Sequence, residues 1–115
     1  MGSEQKEMDT MIEDHPEVTF IAAHPGDKEQ FLLHFDRIKK YENFYLDLSG
    51  TGIFRYCLIA HGVKKVGSER LIFGTDYPIC NPRMYVQAVY QEPISEEDAE
   101  NILFKNARKI LENFF

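Results

Sequence analysis

No apolar run in this chain approaches the ~20 residues that a membrane-spanning helix needs. The opening residues, Met1-Gly2-Ser3-Glu4-Gln5-Lys6-Glu7, lack the apolar core of a secretory signal. Cytoplasmic residence is therefore the expectation, with no membrane partner. Cysteine is scarce: Cys57 and Cys80 are the only two, and their separation fits neither a metal knuckle nor a redox pair. Both read as free thiols, with Cys57 packed inside. Bases are outnumbered by acids, 13 to 19, for a formal charge of −6. A broad nucleic-acid footprint needs clustered Lys and Arg to displace counterions, so no nucleic-acid partner is expected. Internal repeats and low-complexity segments are also missing.

What remains is a foldable composition. The 115 residues are 43% apolar and 13% aromatic, enough for one domain with a core. A polar helix over 4–14 is ended by Pro16. Residues 18–23, apolar and rich in β-branched or aromatic types, predict a buried strand. The turn His24-Pro25-Gly26-Asp27 leads to a helix over 28–40 with the stripe Phe31, Leu32, Phe35, Ile38, for which Asp27 is the N-cap. A second strand is read at 43–48 and a third at 71–75. Between them lie a Ser49-Gly50-Thr51-Gly52 loop and a helix over about 53–65, with Ile53, Phe54, Cys57, Leu58 and His61 on one side and Gly62 inside it. A short helix near 83–91 follows. A C-terminal helix over about 96–114 is capped by Ser95, with Asp98 three residues on. Strands separated by helices imply right-handed crossovers, hence an α/β fold with a parallel sheet.

Two strands end in groups that can do chemistry. The first runs into His24, and Arg70-Leu71-Ile72-Phe73-Gly74-Thr75-Asp76-Tyr77-Pro78 delivers a carboxylate at its end. Alternation along a strand puts Phe20, Ala22 and His24 on one face, Tyr45, Asp47 and Ser49 on another, and Ile72, Gly74 and Asp76 on a third. If these faces line one interior, His24, Asp47 and Asp76 converge as an acid/base or metal constellation. A one-residue register slip would reverse that. The alternatives are a turn or cap role for His24, an Asx turn at Asp76, and an Asp47 that accepts loop hydrogen bonds. Ser49 and Thr51 have no base beside them in sequence, so loop hydrogen bonding competes with any nucleophilic role. His15 and His34 read as surface groups, His61 as partly buried, and Tyr77, Tyr85 and Tyr90 as packing or rim residues. Arg55 and Arg83 are candidates for a substrate carboxylate or for surface ion pairs.

These segments resemble the amidohydrolase-related metal-dependent hydrolases of the TIM-barrel type. The stretch from Pro16 to Gly26 resembles their sixth strand, Asn43-Phe44-Tyr45-Leu46-Asp47-Leu48-Ser49-Gly50 their seventh, and the stretch from Gly67 to Pro78 their eighth. Ile102-Leu103-Phe104-Lys105-Asn106-Ala107 resembles the helix that closes such barrels. The resemblance spans about residues 12–112 and implies three parallel strands of a partial TIM barrel. Residues 1–115 would then be a single partial domain, the last three β/α units. It implies His24 as the residue that orients or deprotonates a water, and Asp76 as ligand of a divalent metal (zinc or manganese) and proton shuttle. Ser49, Gly50, Thr51 and Tyr77 would border the substrate, a small molecule.

A full barrel takes eight strands and ~250 residues. The His-x-His pair of the family's first strand and its fifth-strand histidine have no counterpart in the chain. The expectation is therefore a C-terminal fragment of a metal-dependent hydrolase, inactive alone, whose parent hydrolyses or decarboxylates a small acid, ester or amide. The alternatives are one part of a multi-chain enzyme or a non-catalytic half-barrel assembly module. Two open edges and an uncovered inner face predict self-association or capture of a complementary fragment.

Overall fold

In a computed structural model, which describes residues 2–50, 53 and 55–114, the chain alternates helices and short strands. The order is α1 (Gly2–Asp14), β1 (Phe20–Ala23), α2 (Lys28–Lys40), β2 (Phe44–Asp47), α3 (Leu58–Val66), β3 (Leu71–Ile72), α4 (Pro82–Tyr90), α5 (Glu96–Glu100), a π-helical turn (Asn101–Lys105) and α6 (Asn106–Phe114). The strands form one sheet in the order β1-β2-β3, both pairs parallel. This is the expected α/β arrangement, with strands shorter than the apolar runs that announced them. Among the described residues no helix is long and apolar enough to cross a membrane.

Helix α2 forms where its signals place it. Asp27 accepts from the Gln30 amide at 2.9 Å while the Gln30 side chain accepts from the Asp27 amide at 3.1 Å. This reciprocal box satisfies two otherwise orphaned donors. Phe31, Phe35 and Ile38 are fully buried on its inner stripe, against Phe44, Leu46 and Leu71 of the sheet. His34 is buried too, contrary to its reading as a surface group. It stacks on Phe44 at 5.7 Å and lies 3.3 Å from Arg37 Nη1, because α1 docks alongside and widens the covered face of α2.

Helix α3 starts at Leu58, five residues later than expected, because Cys57 adopts a left-handed conformation (φ 72°) that helical hydrogen bonding cannot propagate through. Cys57 is consequently exposed rather than packed inside. His61 is likewise exposed, while Gly62 is buried and faces α2. Phe54, Thr51 and Gly52 lie outside the described residues. Glu92, a buried carboxylate just past α4, accepts from the Cys57 amide at 2.7 Å and the Ala60 amide at 2.9 Å, and so caps α3 from a distance.

The C-terminal segment is capped as predicted, Ser95 accepting from the Asp98 amide at 3.0 Å, but it is not one continuous α-helix. At the π turn the Asn106 amide reaches back to Asn101, and the Ile102 carbonyl accepts from the Phe73 amide at 2.9 Å. Buried Asn106 donates to the Ser68 and Leu71 carbonyls at 2.6 and 2.9 Å. The carbonyls of Arg70 and Ile72 point to β2, where they accept from Leu46 and Leu48. Alternation then turns the Leu71 carbonyl and Phe73 amide to the far side, so this helix covers the outer edge of β3. The outer edge of β1 has no strand partner among the described residues.

One expectation about the sheet is corrected. The register pairs Phe20 with Phe44, Ile21 with Tyr45, and Ala23 with Asp47. Phe20 and Ala22 therefore share the helix-packed face, where they meet the core, and the open face carries Ile21 and Ala23 beside Tyr45 and Asp47. For β3 the pairing of Ile72 with Asp47 puts Ile72 on the open face as expected, but the strand ends there, and Gly74 and Asp76 lie beyond its alternation. The first strand is apolar on both faces, so its pattern carries no parity signal.

Candidate functional site

The C-terminal ends of the three strands lie side by side; His24 follows β1 directly and Asp76 comes four residues after β3. His24 and Asp76 are both left-handed, at φ 68° and 56°. Such conformations cost of order 1–3 kcal/mol each and persist only where surrounding structure holds them. At His24 the consequence is visible. Continued alternation would send its side chain to the helix layer with Phe20 and Ala22. Instead the imidazole reaches the loop after β2, with Nδ1 3.1 Å from the Ser49 carbonyl and 3.0 Å from Ser49 Oγ.

That loop is held from several sides. The Ser49 amide donates to Asp47 Oδ1 at 2.8 Å, which is the loop-bonding role weighed for Asp47. The Tyr85 hydroxyl donates to the Gly50 carbonyl, and Cys80 Sγ lies 3.2 Å from the same hydroxyl. Burial, with Cys80 and the Asp76 charge adding to it, holds the Tyr85 phenol above its ordinary value. Gly50, at φ 89°, has no room for a side chain, since a Cβ there would sit 2.9 Å from His24 Nδ1. Gly74 leaves the space beneath: a Cβ would fall 2.5 Å from Asp47 Oδ1 and 3.2 Å from Ser49 Cβ. Arg55 does not reach for a ligand; its Nη1 donates to the Gly26 carbonyl at 3.1 Å and ties down the turn after His24.

Asp76 and Tyr77 stand on the exposed rim, the latter 76% accessible, ahead of a cis Tyr77-Pro78 bond. The Asp76 carbonyl accepts from the Ile79 amide at 2.8 Å. A cleft of about 380 Å³ runs beside His24, lined also by Ala22, Ala23, Gln30 and Arg37. The structure thus joins His24 to Ser49 and Gly50, and Asp47 to Gly74, while the Asp76 charge adds to the upward shift at Tyr85. It does not close His24, Asp47 and Asp76 into a ligand set: among the described residues no three His, Cys, Asp or Glu side chains are grouped to hold a metal. A catalytic zinc takes about three protein ligands, so this chain's donors do not by themselves fit the ion. Tyr85, the clamp on the loop, was legible only as an aromatic in a helix. The cue for its second role, a phenol that must find a partner when buried, needs the fold to say which partner.

Comparison with known proteins agrees with this fold. The 2-amino-3-carboxymuconate-6-semialdehyde decarboxylase of Caenorhabditis elegans is 40% identical over 52 residues, which is 44% of this chain and 13% of that protein. Gamma-resorcylate decarboxylase of Polaromonas sp. strain JS666 is 33% identical over 69 residues, 60% of this chain and 21% of the relative. Among solved structures, a 2,6-dihydroxybenzoate decarboxylase with bound 2,6-dihydroxybenzoate superposes with a TM-score of 0.70 at 22% identity, over 90% of this chain and 37% of the other. A dihydroxybenzoic acid decarboxylase from Polaromonas sp. JS666, holding manganese and the inhibitor 2-nitroresorcinol, gives 0.68 at 26% identity, over 90% and 36%. The chain thus spans well under half the length of each of these relatives. The sequence model of the amidohydrolase family matches residues 3–112, nearly the whole chain, and the chain belongs to that family.

Proposed function

We propose that residues 1–115 supply the last three β/α units of an amidohydrolase-type barrel whose intact form decarboxylates a small acid. The observation that carries this is the pair His24 and Asp76, each in a left-handed conformation just beyond the C-terminal end of β1 and β3 in one parallel sheet. That end of the strands is where α/β barrels place their chemistry, and strained backbone concentrates at working residues. Decarboxylation is preferred to hydrolysis of an ester or amide because the relatives named above are decarboxylases. Loss of carbon dioxide leaves an electron pair on carbon, and a positioned acid must deliver a proton there.

In this reading Asp76 is a ligand of a divalent ion, zinc or manganese, and a proton carrier. His24 orients or deprotonates a water. Ser49, Gly50 and Tyr77 border the substrate; Thr51 completes that loop in sequence. The other metal ligands come from the part of the barrel that carries the remaining strands, which joins at the unpaired edge of β1. Without that part the chain self-associates through the same edge and the open face, and it is inactive.

The test is metal content and solution mass, measured on the chain alone and co-expressed with the remaining strands of a related decarboxylase. Alone, the chain should exceed its monomer mass at micromolar concentration and hold well under one manganese per chain. The complex should hold stoichiometric manganese, lost in Asp76→Ala. A complex that forms but takes up no metal would make the chain an assembly module instead. A monomer that unfolds cooperatively and joins nothing would overturn both readings.

A further inference from the structure

Two oxygens of one residue face one nitrogen of His24, and they cannot be treated alike. The Ser49 carbonyl only accepts, whereas the hydroxyl can accept or donate. With Nδ1 3.1 Å from the carbonyl and 3.0 Å from Oγ, a proton on Nδ1 satisfies both contacts at once. A bare Nδ1 would accept from the hydroxyl but set its lone pair against the carbonyl oxygen. We infer that Ser49 is a positioning residue: its backbone carbonyl keeps the neutral His24 protonated on Nδ1, leaving Nε2 as the atom that takes a proton or a ligand. The hydrogen bond made by one ring nitrogen decides the state of the other.

The rest of the loop aims this carbonyl. On its N-terminal side the Ser49 amide is tied to Asp47 Oδ1 at 2.8 Å, and on its C-terminal side the next carbonyl, Gly50, is held by the Tyr85 hydroxyl. The peptide between the two anchors has little freedom to rotate. Gly50 lets the imidazole approach, because any larger residue at φ 89° would be strained and would press a Cβ to 2.9 Å from Nδ1. The left-handed turn at His24 brings the ring across to meet it. The inference assigns the atom through which His24 would act, and so rests on the proposed role of His24, but it makes a claim about the isolated chain that no metal is needed to check.

The experiment is a long-range nitrogen–proton correlation spectrum of the whole chain, without metal, at a pH where imidazoles are neutral. The His24 signals are assigned by their loss in His24→Gln. Expected is a pyrrole-type Nδ1 and a pyridine-type Nε2. The same pattern should persist in Ser49→Ala, which keeps the carbonyl and removes the hydroxyl. In Gly50→Ala the pattern should collapse towards a mixture of both tautomers. A pyrrole-type Nε2 in the native chain would overturn the inference, and so would loss of the pattern in Ser49→Ala, which would make the hydroxyl the determinant. Should Gly50→Ala fail to fold by circular dichroism, the native and Ser49→Ala spectra decide alone. Failure of the complex to bind manganese would leave these spectra unchanged, so the two claims fall separately.

Discussion

At Gly62 two physical preferences oppose each other. Helix propensity favours alanine over glycine by about 1 kcal/mol in a helix interior. The space does not: a Cβ there would sit 2.2 Å from Phe35 Cζ, and Phe35 is fully buried with nowhere to move. Overpacking of this kind costs about 1–3 kcal/mol, so it outweighs propensity. Gly62→Ala is expected to lower the urea midpoint, whereas an exposed glycine would raise it. Tyr85→Phe tests the loop clamp. It leaves the Gly50 carbonyl without its donor, which should cost about 1–2 kcal/mol in the same measurement. The phenol also has a pH signature. Its elevated pKa favours the protonated form in the folded state, so its contribution is lost as pH rises above the ordinary value of 10. Spectrophotometric titration should show a tyrosine step delayed to strongly alkaline pH that is lost in Tyr85→Phe.

At the scale of elements, the seam between α1 and α2 is a buried polar contact. Arg37 donates through Nε to Asp9 at 2.9 Å and through Nη2 to Gln5, while Nη1 faces His34 Nδ1. Burial first, and the Arg37 charge second, lower His34 from 6.5 to about 4. Between those values the unfolded chain binds a proton that the folded chain refuses, so stability falls as pH drops from 6.5 towards 4 and flattens below. A protonated His34 cannot accept from Arg37 and sets two cations together. The urea midpoint should therefore fall between pH 7 and pH 4.5, and fall less in His34→Gln. Helix α3 depends on Glu92 in a comparable way. Cys57 provides no side-chain cap, and the carboxylate supplies acceptors for two amides from outside the helix. Glu92→Ala should cost about 1–2 kcal/mol, in the range of a lost cap.

For the whole molecule the decisive feature is that its two sheet edges differ. The C-terminal helix and π turn occupy the outer side of β3 through Ile102 and Asn106. The outer side of β1 is unpaired among the described residues, and beside it Ile21 is 49% exposed. An exposed edge with apolar side chains templates pairing with another chain, and natural sheets suppress this with charges, lysine above all. Ile21→Lys should therefore shift the chain towards monomer in light scattering at micromolar concentration, with the far-ultraviolet spectrum retained.

Much of the architecture was determined by the sequence alone. The apolar runs ending in His24 and Asp76, the Asp27 and Ser95 caps and the stripe of α2 are short-range signals, and each acts where it is written. They predict a parallel α/β sheet with an imidazole and a carboxylate at its C-terminal rim, and the family resemblance follows from the same segments. The tertiary structure decided what depends on partners distant in the chain. It set which face of β1 is open, because an apolar run conceals its parity. It set the left-handed turns at His24, Cys57 and Asp76, which are tolerated only because surrounding contacts hold them. It decided the remote cap from Glu92, the clamp from Tyr85, the burial of His34 and the π turn that covers β3. For the cap, the clamp and the π turn the sequence holds the residue, but its partner is far along the chain, as with Glu92 and Cys57, Tyr85 and Gly50, or Ile102 and Phe73, and only folding brings the two together.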